Sequence, residues 1–385
     1  MEIDELLRLA ELGDADAQFE LGDCYYYGNG ILQDYDKAVE WYRAAAGQGN
    51  AEAQFALGDC YYHGNGALQD YGRAVRWYTK AAEQGHADAQ CNLAYCYDRG
   101  NGVAQDYGKA VEWYLKSAAQ QCAEAECSMG DAYSNGRGVV KDKKEAFAWY
   151  SRSAAHGCAD AQLMLAECYY CGDGVDKDYR EAVKWYIKAA EQDVVVAQHN
   201  LGYCYEQGTG VERDYRLAVK WFTKAAEQGY AEAQVCLGYC YNQGWGVPQD
   251  YKKGVEWYKK AAEQGNAKAQ HNLGNCFCLG QGVPQDYKKA VEWFTKAAQQ
   301  GFALAQYNLG YCFHQGYGVP QDYKKGVEWY KKAAEQGNAD AQFNLGICYL
   351  NGEGVPKDHA EGVKWISKAA EQGDEQAKSI LKDLT

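Results

Sequence analysis

Small and apolar side chains recur along this chain at helical spacing, and the whole pattern returns every 36 residues. In residues 303–338 it reads Ala-x-Ala-Gln-x-x-Leu-Gly-x-Cys-x-x-x-Gly-x-Gly-Val-x-x-Asp-Tyr-x-x-Gly-Val-x-Trp-Tyr-x-x-Ala-Ala-Glu-Gln-Gly-x. At about 100° per residue, Ala305, Leu309, Cys312 and Gly316 gather on one face of a first helix predicted from Ala303 to His314. Glycine weakens a helix interior, so the recurrence of Gly310 predicts close approach to a partner helix. Gly316 and Gly318 predict a turn with positive φ at two places, and Asp322 is placed to cap a second helix. That second helix has Tyr323, Gly326, Val327, Tyr330, Ala333 and Ala334 as its apolar content, with Trp329 between units. Gly337 is expected to end it in the left-handed region.

The unit recurs ten times without insertion or deletion, over 15–50, 51–86, 87–122, 123–158, 159–194, 195–230, 231–266, 267–302, 303–338 and 339–374. A short two-helix unit cannot bury its apolar face alone, so it must stack on its neighbours. The expected fold is all-α: a solenoid of ten two-helix repeats. Segments 1–14 and 375–385 read as capping helices at its ends. Gly-x-Gly resembles a phosphate loop, but no strand precedes it in any repeat, and a turn accounts for it.

The motif Ala-x-Ala-Gln-x-x-Leu-Gly, followed by Gly-x-Gly-Val and Asp-Tyr-x-Lys-Ala-x-x-Trp-Tyr-x-x-Ala-Ala-x-Gln-Gly, resembles the SEL-one-like repeat family, a branch related to tetratricopeptide repeats. The resemblance covers roughly residues 15 to 374. It implies a right-handed superhelix and a scaffold or adaptor role toward other proteins, not a particular partner.

Repeat four departs most from the pattern: Met129 replaces the core leucine, Ala132 the cysteine, Lys143 the tyrosine and Phe147 the valine. Local repacking, or a hinge or partner-specific spot, would follow. By contrast, residues 247–267 are identical to 319–339, the mark of a two-unit duplication.

Charge then limits the partners. The net charge of −14 carries no basic stripe, which argues against nucleic acid. No stretch reads as a membrane span, and the first residues lack the basic and apolar parts of a signal peptide. The expectation is a cytoplasmic monomer, with delivery into a host cell by a non-standard route left open.

Nine of the 16 cysteines occupy one repeat position, for example Cys276, Cys312 and Cys348, and read as reduced, buried, apolar residues. Cys91, Cys122, Cys127 and Cys158 come from neighbouring units and could approach one another in the manner of a zinc site, although the paired Cys-x-x-Cys spacing of strong zinc sites is missing. Cys168-x-x-Cys171 has redox spacing but falls inside a helix, away from the N-terminus that favours a thiolate. No cofactor, metal site or catalytic residue is expected, and the chain reads as a non-enzyme.

Binding is expected at positions that vary. On the first helix, repeat positions 2, 5, 6, 9, 12 and 13 lie opposite the core and would line the concave face. Position 6 gives Asn92, Asn200, Asn272, Asn308 and Asn344. Position 9 gives Tyr95, Tyr203, Tyr239 and Tyr311, with Asp23, Asp59 and Asp131 toward the N-terminus. Asparagines offer a donor and an acceptor to an extended peptide backbone, and tyrosines add rigid apolar area. Position 2 is mainly acidic, with Lys268 the lone base, which favours a neutral or basic protein or peptide. Trp245 and Tyr317, between loop glycines, are further candidate contacts, or covers for neighbouring loops. A self-assembling array, or a thiol or β-lactam-type hydrolase, are the alternatives.

Overall fold

The computed structural model describes residues 3–384; Met1, Glu2 and Thr385 lie outside the described residues. Among the described residues there are 22 α-helices and no strand. Each repeat is a pair, here called helix A and helix B. In the ninth repeat helix A is Ala303–Gln315 and helix B is Tyr323–Glu335. The chain divides into two compact units, 1–194 and 195–385, which hold repeats one to five and six to ten. Within each unit every repeat packs on the next as a helical solenoid. Helix Ile3–Glu11 lays Leu6 and Ala10 into the core of the first unit, and helix Glu375–Leu384 packs against the last helix B.

The predicted punctuation is present. Asp322 Oδ1 accepts from Lys325 N, and Gly316, Gly318 and Gly337 have φ of 77°, 71° and 90°. Gly318 is tied to its place twice over, because a Cβ there would lie 2.3 Å from the Tyr287 carbonyl oxygen. Gly310 sits where a Cβ would meet the Tyr330 ring at 2.8 Å, so helices A and B of one repeat approach closely for want of a side chain. Ala305, Leu309, Cys312, Val327, Tyr330, Ala333 and Ala334 are buried as the pattern requires. Tyr323 is the exception: 39% of it is exposed, because the first turn of helix B projects past the core. Its hydroxyl accepts from Gln321 Nε2 instead.

A polar ladder runs through this apolar core. The glutamine at position 4 of every repeat except the fourth is 0 to 7% exposed. Its oxygen accepts from a glutamine at position 34 of its own repeat, as in Gln48 Nε2 to Gln18 Oε1 at 2.8 Å and Gln300 Nε2 to Gln270 Oε1 at 2.9 Å. Its amide donates to a carbonyl at the end of the preceding helix B, as in Gln270 Nε2 to Ala262 O at 3.2 Å. A buried amide is costly without partners, and here both of its ends are used, the oxygen within its own repeat and the amide across to the preceding one.

The irregular fourth repeat keeps the arrangement with changed chemistry. Glu126 stands for the first glutamine and His156 for the second, and His156 Nδ1 lies 2.7 Å from Glu126 Oε2. Met129 is fully buried, Phe147 packs edge-on against Tyr169, and exposed Lys143 reaches Asp173 at 2.6 Å. The departures are compensated locally.

Candidate functional site

The helix A positions outside the core are divided by the packing. Position 5, expected on the open face, turns inward: Cys91, Val235 and His271 are buried, since this residue leans on the end of helix B. Position 9 is open wherever it holds tyrosine. Tyr95, Tyr203, Tyr239 and Tyr311 are each 40 to 43% exposed. Position 6 lies between, with Asn92, Asn200, Asn272, Asn308 and Asn344 all half-buried.

Those asparagines are not uniformly available to a ligand. Asn92 Nδ2 donates to Asp59 Oδ1 of the preceding repeat at 3.1 Å. Asn308 Nδ2 donates to Asn275 Oδ1 at 3.2 Å and lies 3.0 Å from His271 Nε2, both in the preceding repeat. Asn344 lies beside Tyr307 and Tyr330 of the repeat before it. Asn272 Oδ1 meets His271 Nδ1, and Asn200 Oδ1 meets His199 Nδ1. Asn92 and Asn308 therefore hold repeats together as well as facing outward.

The two loop aromatics complete the face. Trp245 is half-buried, its ring 5.0 Å from Tyr215 and 5.2 Å from Tyr239. Tyr317 stacks on Tyr287 at 5.1 Å and tilts toward Tyr311 at 6.0 Å. Both cover the previous repeat's tyrosine, and each lies against the position 9 tyrosine of its own repeat.

In the second unit this surface becomes a groove of about 470 Å³, lined by Tyr203, Glu206, Val235, Cys236, Tyr239, Trp245, Lys268 and Asn272, with Gln207 at its edge. Three repeats contribute to it. It brings together four residues marked from the sequence, and adds Glu206, Val235 and Cys236. In the first unit the clefts are smaller: about 220 Å³ among Phe19, Asp23, Tyr27, Glu52 and Asp59, and about 250 Å³ among Tyr62, His63, Asn92 and Tyr95.

The model for the Sel1 repeat matches ten times, at 15–50, 51–86, 87–122, 123–158, 159–194, 195–230, 231–266, 267–302, 303–338 and 339–374. The chain belongs to the Sel1-repeat family. Among solved structures it is 40% identical to c5321, described as a protective antigen present in uropathogenic Escherichia coli strains displaying an SLR fold. That match has a TM-score of 0.90 and covers 100% of this chain and 82% of that one. A Sel1 repeat protein from Oxalobacter formigenes is 35% identical, with a TM-score of 0.64 over 80% of this chain and 90% of that one. No curated protein matches the chain. Sel1 repeat proteins are generally protein-interaction scaffolds and typically without catalysis.

Few groups here suit chemistry. Cys168 is buried and pushed up to about 12, first by desolvation, and exposed Cys171 is also shifted up, so the Cys-x-x-Cys pair lacks thiolate character. One cluster of metal-type donors occurs among the described residues: His314, Cys348 and Glu353, with ligand atoms within 4.8 Å of one another. No histidine pair or cysteine spacing signalled it, because its members are brought together by the packing of one repeat on the next. Burial pushes the Cys348 thiol up to about 12, so at neutral pH that donor is protonated and the cluster's direct tie is His314 Nε2 to Glu353 Oε2, 2.9 Å.

Proposed function

We propose that this Sel1-repeat protein is a non-enzymatic, cytoplasmic scaffold that binds an extended segment of another protein along the helix A face, the concave face expected of such arrays. The observation that carries the reading is the groove between Tyr203, Tyr239 and Trp245. Its aromatic walls suit one large apolar side chain of the segment. Asn272 in its lining offers a donor and an acceptor to the segment's backbone, and Glu206 and Lys268, both in the lining, suit a partner that is neutral on balance. Rigid aromatic anchors of this kind supply most of the affinity in protein interfaces. In the first unit the helix A face carries acids at positions 2 and 9, which suit basic residues.

The test is selection of peptides on the full chain, followed by titration of the best binder against Tyr239→Ala and Asn272→Ala. Loss of binding with Tyr239→Ala and weakening with Asn272→Ala, with the helical signal intact, supports the groove. Equal binding by all three proteins overturns it.

A further inference from the structure

In each repeat the residue at position 5 of helix A faces the residue at position 36, just before the next helix A. Phe55 stacks on His86 with ring centroids 4.7 Å apart, and His199 with Tyr230 and His271 with Phe302 are each 5.3 Å apart. In two consecutive repeats both places are cysteine, Cys91 with Cys122 and Cys127 with Cys158, and each pair packs in one core cluster. No other repeat has cysteine at either position. The same two repeats alone carry serine for alanine at position 31, as Ser117 and Ser153. Both serines are fully buried and donate to Ala87 O at 2.8 Å and Ala123 O at 2.7 Å. Copying does not explain the shared trio, because these repeats differ at their core leucine, cysteine, tyrosine and valine positions.

Cys122 and Cys158 also precede the first turns of helices Ala123–Asn135 and Ala159–Cys171. As thiols they make no capping hydrogen bond; as thiolates they have the Ala125 and Ala161 amides to accept from. Both are half-buried, so a small reagent can reach them.

We propose that these are two dithiol exchange sites, in which Cys122 and Cys158 attack a small disulfide of the glutathione type and Cys91 and Cys127 resolve the product. The Cys122 thiolate bonds to one sulfur of the small disulfide and breaks its S–S bond. The first small thiolate departs and takes a proton from water. Cys91 then loses its proton to solvent and attacks the Cys122 sulfur, expelling the second small thiolate. Two protein thiols are oxidised to a disulfide while one small disulfide is reduced to two thiols. The neighbouring Cys91 thiol holds Cys122 down to about 7, with burial and Glu124, to which the Cys122 thiol donates at 3.5 Å, opposing and Ser117 and the Ala125 amide assisting. Cys127 holds Cys158 down to about 6 in the same way, and the two resolving thiols are shifted up in turn. Asp88 and Glu124 face the first pair and Asp131 and Asp160 the second, all raising the resolving thiols.

Cys278 and Cys312 also pack in one cluster, but without a serine or a helix start beside them, and they serve as an internal control. The experiment treats the reduced full chain with oxidised glutathione and maps peptides by mass. Disulfides at Cys91–Cys122 and Cys127–Cys158 are expected before any adduct at exposed Cys171. Cys91→Ser is expected to trap glutathione on Cys122. At pH 7, Cys122 should react with iodoacetamide more than about threefold faster than Cys171, and Ser117→Ala should narrow that ratio. Modification of Cys171 first, or a folded Cys91→Ser chain that carries no adduct at Cys122, would overturn the proposal.

Discussion

Position 9 of helix A differs between the two units of this chain, while the core behind it stays the same. In the first unit four of the five residues there are acids, Asp23, Asp59, Asp131 and Glu167. Each accepts a hydrogen bond from a buried tyrosine of helix B at 2.6 to 2.8 Å. In the second unit the position holds Tyr203, Tyr239, Asn275, Tyr311 and Ile347, with no acid. The tyrosines lie open beside Trp245 and Tyr317. Position 2 follows suit, acidic throughout the first unit and mixed in the second, where Val196, Lys268 and Leu304 interrupt it. One scaffold thus carries an anionic face and an aromatic one. The interior is constrained by packing and the outer face is not, so the units can diverge in chemistry without diverging in fold.

The largest expected effect separates the two faces. Tyr239→Ala combined with Trp245→Ala should weaken a selected peptide by 30-fold or more, about 2 kcal/mol, as expected of aromatic anchors. Asp59→Asn should leave the same affinity within about twofold, which calorimetric titration would show. If Asp59→Asn costs as much, the contrast between the units is not one of function.

The next effect tests whether the interior is shared. Gln270→Ala strips Ala262 O of its partner, leaves Gln300 only Gly265 O to donate to, and should lower stability by about 1–3 kcal/mol in urea unfolding. In the first unit, Glu126→Gln alone breaks the matched pair with His156. Adding His156→Gln restores the arrangement of the other repeats and should recover on the order of 1 kcal/mol.

A smaller effect divides the asparagine row. Asn308→Ala removes two inter-repeat contacts and should cost about 1 kcal/mol of stability. Asn272→Ala should cost less stability and act on the peptide instead. Equal losses of stability would merge the two roles.

The smallest effect belongs to the acidic face. Burial pushes the Asp59 carboxyl up, although Tyr78 and Asn92 donate to it. The folded chain therefore keeps that proton to higher pH than the unfolded chain does. Its stabilising contribution is present below the ordinary carboxylate range and is lost as pH rises through the raised value. Asp59→Asn should raise Tm at pH 7 by about 1–3 °C, with the difference closing below about pH 3 in thermal scans.

Much of this was legible in the sequence because repetition amplifies weak signals. One Gly-x-Gly could be many things, but ten copies before a capping aspartate could only be a turn. The position 9 tyrosines were legible for the same reason: helical spacing sets them opposite Leu309 and its equivalents. The glutamine ladder was visible as a recurring letter yet gave no sign of its role, since its partners lie in helix B and in the preceding repeat. The Asn308 contacts, and the convergence of His314, Cys348 and Glu353, were hidden for the same reason.

The amino-acid order alone determined the helices, their boundaries, the turn glycines and the ten-fold repetition, because these depend on side-chain period and on residues within a few places of one another. Only the tertiary structure decided that position 5 turns inward, that Trp245 leans on Tyr215 to wall a groove, and that Cys91 meets Cys122. Those outcomes depend on the distance and rotation between stacked helices, which are set jointly by side chains some thirty or more residues apart.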